Sequence, residues 1–203
     1  MNSLRAYGCS FTHGHKEEIL KGWVTRLKLS SKYRLLNRGH AGAGWVTVRS
    51  HILNDLPKFK KGDIAIIQIP FVYRVEIPYF KTEYDSFMRY WNEQRGKTLE
   101  WGKFVKEEEE LRKVTTQEVL QIFKVLDSLD VKVFWWSSQH MPELKKSKYI
   151  QLTLDGYDCY FDWSHTRYDL CVSEDDTHLN VKGYEYQAEF FSRQLNKILG
   201  GVI

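Results

Sequence analysis

The sequence has few of the features that would place a protein outside the cell or in a membrane. Its three cysteines, Cys9, Cys159 and Cys171, are odd in number and lack the spacing of a metal site. The longest apolar run, at 131–136, contains a lysine and is far too short to cross a bilayer. No apolar leader follows Met1. We therefore expect a cytoplasmic protein with reduced thiols and no membrane partner.

The charge of the chain is nearly balanced, which excludes another class of partner. Its 30 lysines and arginines stand against 26 acidic residues, a formal net charge of +4, and the basic residues occur in pairs such as Lys60-Lys61 rather than in tracts. Nucleic-acid binding needs a concentrated basic surface, so we expect no nucleic-acid partner. With 203 residues, 42% of them hydrophobic, the chain can bury one substantial core, and we predict a single domain over 1–203.

Two kinds of apolar segment alternate along the chain. Short apolar runs predict strands at 4–8, 33–37, 64–69 and 131–136, with a fifth at 149–154 or 157–161. Apolar residues at helical spacing predict helices at 17–29, 45–56, 115–129 and 181–199. This alternation predicts an α/β fold, a three-layer α/β/α sandwich around a parallel sheet. Ligands of such sheets bind at the carboxyl ends of the strands.

The alternation stops between 71 and 113, where a long aromatic and charged stretch follows the third strand. We predict an insertion or lid there. Aromatic residues make up 15% of the chain, and many lie in this stretch and at 149–168. Core packing is the simplest explanation of such residues. A wall that binds a sugar or an acyl group is the alternative.

A candidate nucleophile and a candidate base stand near the two ends of the chain. Ser10 follows the first predicted strand, at a strand-to-helix turn that would expose its hydroxyl and direct backbone N–H groups at a ligand. Asp175 precedes His178 by three residues, so its carboxylate can reach the imidazole and orient it. Each feature also has an ordinary explanation: a serine often caps a helix, and an Asp-x-x-His segment is often a surface loop.

Together, these motifs resemble the SGNH (GDSL-type) hydrolase family. The resemblance rests on Gly-Cys-Ser-Phe-Thr at 8–12, Asn-Arg-Gly-His-Ala-Gly at 37–42, and Asp-Asp-Thr-His-Leu-Asn at 175–180. It implies a flavodoxin-like parallel sheet with Ser10 as the nucleophile, His178 as general base and acid, and Asp175 as the orienting carboxylate. It also implies that the backbone N–H groups of Ser10 and Gly42 stabilise the oxyanion. Such acyl transfer requires no metal and no cofactor, and we expect neither.

The chain departs from the family pattern at two places. Cys9 stands where an acidic residue usually precedes the serine. Cys9 as the nucleophile is the weaker alternative, because its side chain should point away from that of Ser10. The asparagine that the family places after the third strand is missing near 70–73, and losing one oxyanion donor typically costs ~10²–10³ in rate. Gln68 and Arg74 are the nearest replacements, although Arg74 can instead form a salt bridge with Glu76.

The resulting hypothesis is a serine ester hydrolase that forms an acyl-enzyme intermediate. Its substrate would be a small-molecule or carbohydrate ester, with a carbohydrate O-acetyl ester favoured by the aromatic stretch. Transfer of the acyl group to an alcohol instead of water would make the chain an acyltransferase. The rival hypothesis is a non-catalytic or weakly active binding protein that keeps the fold, and the missing asparagine favours it.

Overall fold

A computed structural model describes residues 1–14, 22–29, 33–72 and 101–200, the last range with side chains from residue 108 onward. Within these residues, the chain is built around a sheet of five strands, all paired in parallel. The strands are β1 (Asn2–Tyr7), β2 (Tyr33–Asn37), β3 (Ile64–Ile69), β4 (Lys132–Ser137) and β5 (Ile150–Gln151). Their spatial order is β2-β1-β3-β4-β5, which is the flavodoxin-like order. The predicted fold class is confirmed.

Strand order places a crevice beside the end of β1. The chain runs from β1 outward to β2 and then returns to the other side of β1 to form β3. Ala6 accordingly pairs with Asn37 on one side and with Ile66 on the other. Ligands of doubly wound sheets bind at such a reversal, outside the carboxyl ends of the strands. Ser10 follows β1 directly and therefore lies at this crevice.

The centre of the sheet is covered on both faces. All six residues of β3 are buried, as the nearly uniform apolarity of the strand predicted. The six α-helices of the described residues are α1 (Ser10–His13), α2 (Trp45–Asp55), α3 (Trp101–Ser128), α4 (Pro142–Lys145), α5 (Tyr160–Ser164) and α6 (Val181–Leu199). Short 3₁₀ turns occur at Val24–Arg26, Leu56–Lys58 and Tyr168–Leu170. No helix in these parts of the chain is long and apolar enough to span a membrane.

Helix α6 has the predicted bounds, and both of its ends are capped. The Asn180 side chain accepts a hydrogen bond from the Gly183 N–H at 3.0 Å, which satisfies one free donor of the first turn. Gly200 ends the helix in the left-handed conformation, at a φ of 70°. Between the caps, one buried stripe packs on the sheet at helical spacing and includes Tyr184, Phe191 and Leu195. Phe191 packs edge-on against Trp23 with ring centroids 5.1 Å apart.

Two helix predictions differ from the structure. No α-helix forms over 22–29, the described part of the predicted helix 17–29, because Gly22 is left-handed and Leu27 has a non-helical ψ of 128°. Trp23 is fully buried there as part of a short turn.

Helix α3 begins at Trp101 instead of residue 115, so the last part of the predicted insertion belongs to this helix. Its polar first half gains i,i+4 ion pairs, such as Arg112 with Glu108 at 2.9 Å. The rest of the predicted insertion, 73–100, lies outside the described residues.

A buried carboxylate ties β1 to the turn before β3. Asp63 accepts hydrogen bonds from the Ser3 N–H and hydroxyl, the Lys60 N–H and the Arg5 guanidinium, at 2.7 to 3.1 Å. Burial alone would raise the pKa of Asp63, but these hydrogen bonds outweigh the burial and leave the pKa below its ordinary value. The ionised carboxylate therefore stabilises this end of the sheet.

Candidate active site

The serine lies on a single helical turn that starts immediately after β1. Cys9 is extended, and its carbonyl accepts hydrogen bonds from the N–H groups of Thr12 and His13, both at 2.9 Å. Ser10 is thus the first residue of α1, with 6% of its surface exposed. Gly8 is needed before this turn, because a Cβ there would lie 2.3 Å from a side-chain oxygen of the neighbouring strand.

The fold brings the two ends of the chain together at this turn. The Ser10 Oγ lies 2.8 Å from the Nε2 atom of His178, although 168 positions separate the residues in sequence. The other ring nitrogen, Nδ1, lies 2.6 Å from Oδ1 of Asp176. A hydroxyl, an imidazole and a carboxylate therefore form one hydrogen-bonded row. In such a row the imidazole can accept the hydroxyl proton while the carboxylate stabilises the resulting charge.

The structure corrects the position of the carboxylate from Asp175 to Asp176. The Asp176 Oδ1 also accepts the backbone N–H of His178 at 3.1 Å, a turn in which an aspartate binds the N–H two residues later. The loop is closed behind it by hydrogen bonds from Val172 N–H to the His178 carbonyl at 2.8 Å and from Ser173 N–H to the Asp176 carbonyl at 3.2 Å. Asp175 is exposed at the tip of this loop. The local turn, which residue spacing alone does not reveal, decides between the two neighbours.

Aromatic side chains hold the imidazole from the side. The Phe11 ring stacks on the His178 ring with centroids 4.7 Å apart and an angle of 21° between the planes. Phe11 in turn packs on Tyr160, with centroids 4.5 Å apart. The Tyr160 hydroxyl donates to the Thr177 carbonyl at 2.5 Å, directly before the histidine. Burial raises the pKa of Tyr160 well above its ordinary value, so the phenol stays a neutral donor. No motif in the sequence indicates this role for Phe11 or Tyr160.

Gln68 of β3 supports the serine turn, the single helical turn Ser10–His13, and is not an oxyanion donor. Its Oε1 accepts the Cys9 N–H at 3.0 Å and the Thr12 hydroxyl at 2.8 Å. Its Nε2 donates to the Ser138 Oγ at 3.0 Å and to the Cys9 Sγ at 3.1 Å. Both amide hydrogens are therefore in use, and the side chain is fully buried. The sequence signal was a single glutamine in an otherwise apolar strand, which indicates a buried polar partner.

The loop after β2, which contains the motif at 37–42, lies against the serine turn. The Asn37 Nδ2 donates to the carbonyls of Thr12 and His13 at 3.0 and 3.2 Å, while its Oδ1 accepts the Gly39 N–H at 2.9 Å. The two backbones approach most closely at Gly39, where a Cβ would lie 2.5 Å from the His13 nitrogen. Gly42 is exposed and left-handed, at a φ of 77°, with no atom within 4 Å of a Cβ position. Position 42 therefore requires glycine because its backbone is left-handed, and position 39 requires glycine because a Cβ would collide with the backbone of His13.

The segment that should supply a third oxyanion donor is described only as far as Val72. The Val72 N–H donates to the Gln139 Oε1 at 3.2 Å, which ties the end of β3 to the loop after β4. Arg74 and its alternative partner Glu76 lie outside the described residues.

A separate group of side chains has the composition of a metal site. His140, Cys159 and Asp162 place one nitrogen, one sulfur and one oxygen atom within 4.8 Å of one another. In the part of the chain that the structure describes, no other such group of three is present. The group shares no residue with the row formed by Ser10, His178 and Asp176.

Comparison with known proteins supports the fold. No protein-family model matches the sequence, and the search of curated proteins found no match. Among solved structures, the chain is similar to a member of the lipolytic G-D-S-L family from Veillonella parvula, at 11% identity over 100% of both chains with a TM-score of 0.58. It is also similar to a GDSL-like lipase from Bacteroides thetaiotaomicron, at 11% identity over 97% of this chain and 89% of the other, with a TM-score of 0.53. The chain therefore has the fold of the GDSL-type hydrolases.

Proposed function

We propose that this protein is a serine ester hydrolase in which Ser10 is the nucleophile, His178 the general base and Asp176 the orienting carboxylate. One observation carries the proposal: the unbroken row from Ser10 Oγ to His178 Nε2, and from His178 Nδ1 to the carboxylate, at 2.8 and 2.6 Å. If Ser10 only capped a helix and His178 only lay in a surface loop, the fold would not require a hydrogen bond between their side chains. The GDSL-type fold supports the same conclusion, because its named neighbours include a lipase.

In the proposed mechanism, the carboxylate of Asp176 accepts the Nδ1–H of His178, which leaves the Nε2 lone pair facing Ser10. As the Ser10 Oγ attacks the ester carbonyl carbon, Nε2 takes the hydroxyl proton. The imidazolium then gives this proton to the leaving alcohol, and an acyl-serine remains. Water attacks the acyl-serine by the same sequence of proton transfers, which releases the acid and restores the hydroxyl.

Two backbone N–H groups are available for the oxyanion. Ser10 opens α1 and Gly42 lies in the adjoining loop, and neither N–H donates a hydrogen bond to a described residue. The first N–H groups of a helix have no partner within the helix. Donors already fixed in position stabilise a developing negative charge without reorganising. These two groups are our proposed oxyanion donors.

The missing asparagine and the fully engaged Gln68 amide favour slow turnover or a binding role. A binding protein that retains the fold is therefore the second candidate function. For the hydrolase, we propose a small-molecule or carbohydrate ester as substrate. The three cysteines are unpaired, and we propose a cytoplasmic location on that basis.

Labelling with a fluorophosphonate, combined with turnover of short aryl acetates, tests the proposal. Native protein should react covalently at Ser10, whereas Ser10→Ala and His178→Ala should not. Ser128→Ala, which removes an exposed serine on α3, should label like the native protein. Absence of both labelling and turnover in the native protein would contradict the hydrolase and favour the binding role. Equal turnover by Ser10→Ala would reject the mechanism.

A further inference from the structure

We propose that His140, Cys159 and Asp162 form a binding site for one zinc-class divalent cation, separate from the hydrolase site. The His140 Nε2 lies 2.7 Å from the Asp162 Oδ2, and the Cys159 Sγ lies within 4.8 Å of both ligand atoms. Ligand atoms around tetrahedral zinc are about 3.3–3.6 Å apart, given the usual Zn–N, Zn–O and Zn–S bond lengths. Small side-chain rotations therefore convert the observed triangle into three corners of a zinc tetrahedron, with water as the fourth ligand.

The backbone holds the three ligands in place before any ion binds. Cys159 is the N-cap of α5 and Asp162 lies in its first turn, so their three-residue spacing puts both side chains on the same side of the helix. His140 comes from the loop after β4. A hydrogen bond from the Phe161 N–H to the Ser138 carbonyl, at 3.2 Å, joins the helix to this loop. The ligand set thus bridges two segments that are already bonded to each other.

The burial of the three side chains suits an ion that enters from solvent. The Cys159 residue is 4% exposed, whereas the side chains of His140 and Asp162 are 58% and 42% exposed. The thiol therefore forms the base of the site, and the other two ligands form its open side. His140 also lines a cleft of about 330 Å³ together with Lys145, Lys146 and Asp158. The imidazole is therefore reachable from this cleft.

The local charges are compatible with a divalent cation. The two cleft lysines are neutralised by carboxylates outside the site: Lys145 pairs with Asp158 at 2.7 Å, and Lys146 pairs with Glu143 at 2.8 Å. When the cation binds, the Cys159 sulfur–metal bond forms and the thiol proton passes to the buffer. The hydrogen bond between the His140 Nε2 and the Asp162 carboxylate is replaced by a bond from each atom to the metal, and the imidazole binds as the neutral tautomer with its proton on Nδ1. A thiolate and a carboxylate then balance the two positive charges. A sulfur, nitrogen and oxygen donor set selects zinc or cobalt over magnesium or calcium, which prefer oxygen ligands.

Cobalt(II) titration tests the proposal without reference to ester hydrolysis, because cobalt bound to a thiolate absorbs in the near ultraviolet. The reduced protein should bind one cobalt ion with this absorption band, and zinc should displace the cobalt whereas magnesium should not. Cys159→Ser should abolish the band. Cys171→Ser, which changes a second cysteine that is also 4% exposed, should keep it.

His140 supplies an exposed position that can be changed without disturbing the core. His140→Ala should weaken cobalt binding by at least ~10-fold, since changes even to groups behind the ligands cost that much. His165→Ala, which removes an exposed histidine beside α5, should bind like the native protein. A native protein without the thiolate band would overturn the proposal, as would equal affinities of His140→Ala and His165→Ala. Since no variant is assayed for hydrolysis, failure of this site leaves the proposed hydrolase untouched, and the reverse also holds.

Discussion

Replacement of Gln68 by leucine tests whether the serine turn depends on the strand beneath it. In Gln68→Leu, the buried Cys9 N–H loses its acceptor, which costs about 1–3 kcal/mol. The hydroxyls of Thr12 and Ser138 each lose one hydrogen bond, at about 1 kcal/mol apiece. The contact with the Cys9 sulfur is weak, and we assign it no energy. The expected loss in free energy of unfolding is therefore about 3–5 kcal/mol.

Gln187 on α6 provides the matched control. It is also fully buried, but neither its Nε2 nor its Oε1 has a hydrogen-bond partner in the described structure. Gln187→Leu removes a buried, unpaired amide and should leave the stability unchanged or increase it. Urea unfolding followed by tryptophan fluorescence measures both variants, and the midpoint for Gln68→Leu should fall by about 1–2 M.

The same pair of variants separates support of the nucleophile from general stability. At a temperature where both are folded, Gln68→Leu should react more slowly with the fluorophosphonate, because the turn that carries Ser10 has lost its support. Gln187→Leu should react at the native rate. Equal urea midpoints for the two variants would refute the reasoning, because they would show that the hydrogen bonds of Gln68 add nothing to stability.

Three further predictions follow from the site and the sheet. Asp176→Asn should lower kcat for aryl acetates by up to ~10⁴, by analogy with the loss of a triad carboxylate. Asp175→Asn should keep kcat near the native value. A larger loss of kcat in Asp175→Asn would restore Asp175 as the orienting carboxylate. Phe11→Leu keeps an apolar side chain but removes the aromatic ring that stacks on His178. We expect kcat to fall by up to ~10²-fold at nearly unchanged KM, because the imidazole loses its positioning. An unchanged kcat would show that the stacking does not position the imidazole. Because the pKa of Asp63 lies below its ordinary value, its contribution to stability is complete above about pH 4 and is lost as the pH falls through the folded-state pKa. Asp63→Asn should therefore be less stable than the native protein at neutral pH and lose less stability on acidification, as measured by urea unfolding at each pH; parallel losses would contradict this.

Regular hydrophobic patterns were sufficient to predict most of the sheet. The bounds of β2, β3 and α6 agree with the predicted ranges because each is set by a strong local signal: a compact apolar run, or a buried stripe with a clear start. The segment 22–29 shows the limit of this reasoning. Its apolar residues have helical spacing, but they are buried by a short turn that packs Trp23 on α6.

The candidate site was predictable in its position but not in its details. Parallel strand order places the end of β1 at the crevice, so the location of Ser10 follows from the alternation of strands and helices. The choice between Asp175 and Asp176 depends on hydrogen bonds within one loop, which residue spacing does not encode. The role of Gln68 depends on which groups lie above its strand, and this is known only once the sheet is assembled.

The 168 positions between Ser10 and His178 have a consequence for the protein during its synthesis. The hydroxyl is made directly after β1, whereas the imidazole follows all five described strands and comes just before α6. In the proposed mechanism, a growing chain consequently carries a serine without its base until the segment that contains His178 has been made and folded. Reactivity toward a serine probe would then report that this late segment is in place, and chains that stop before it should not react with the probe.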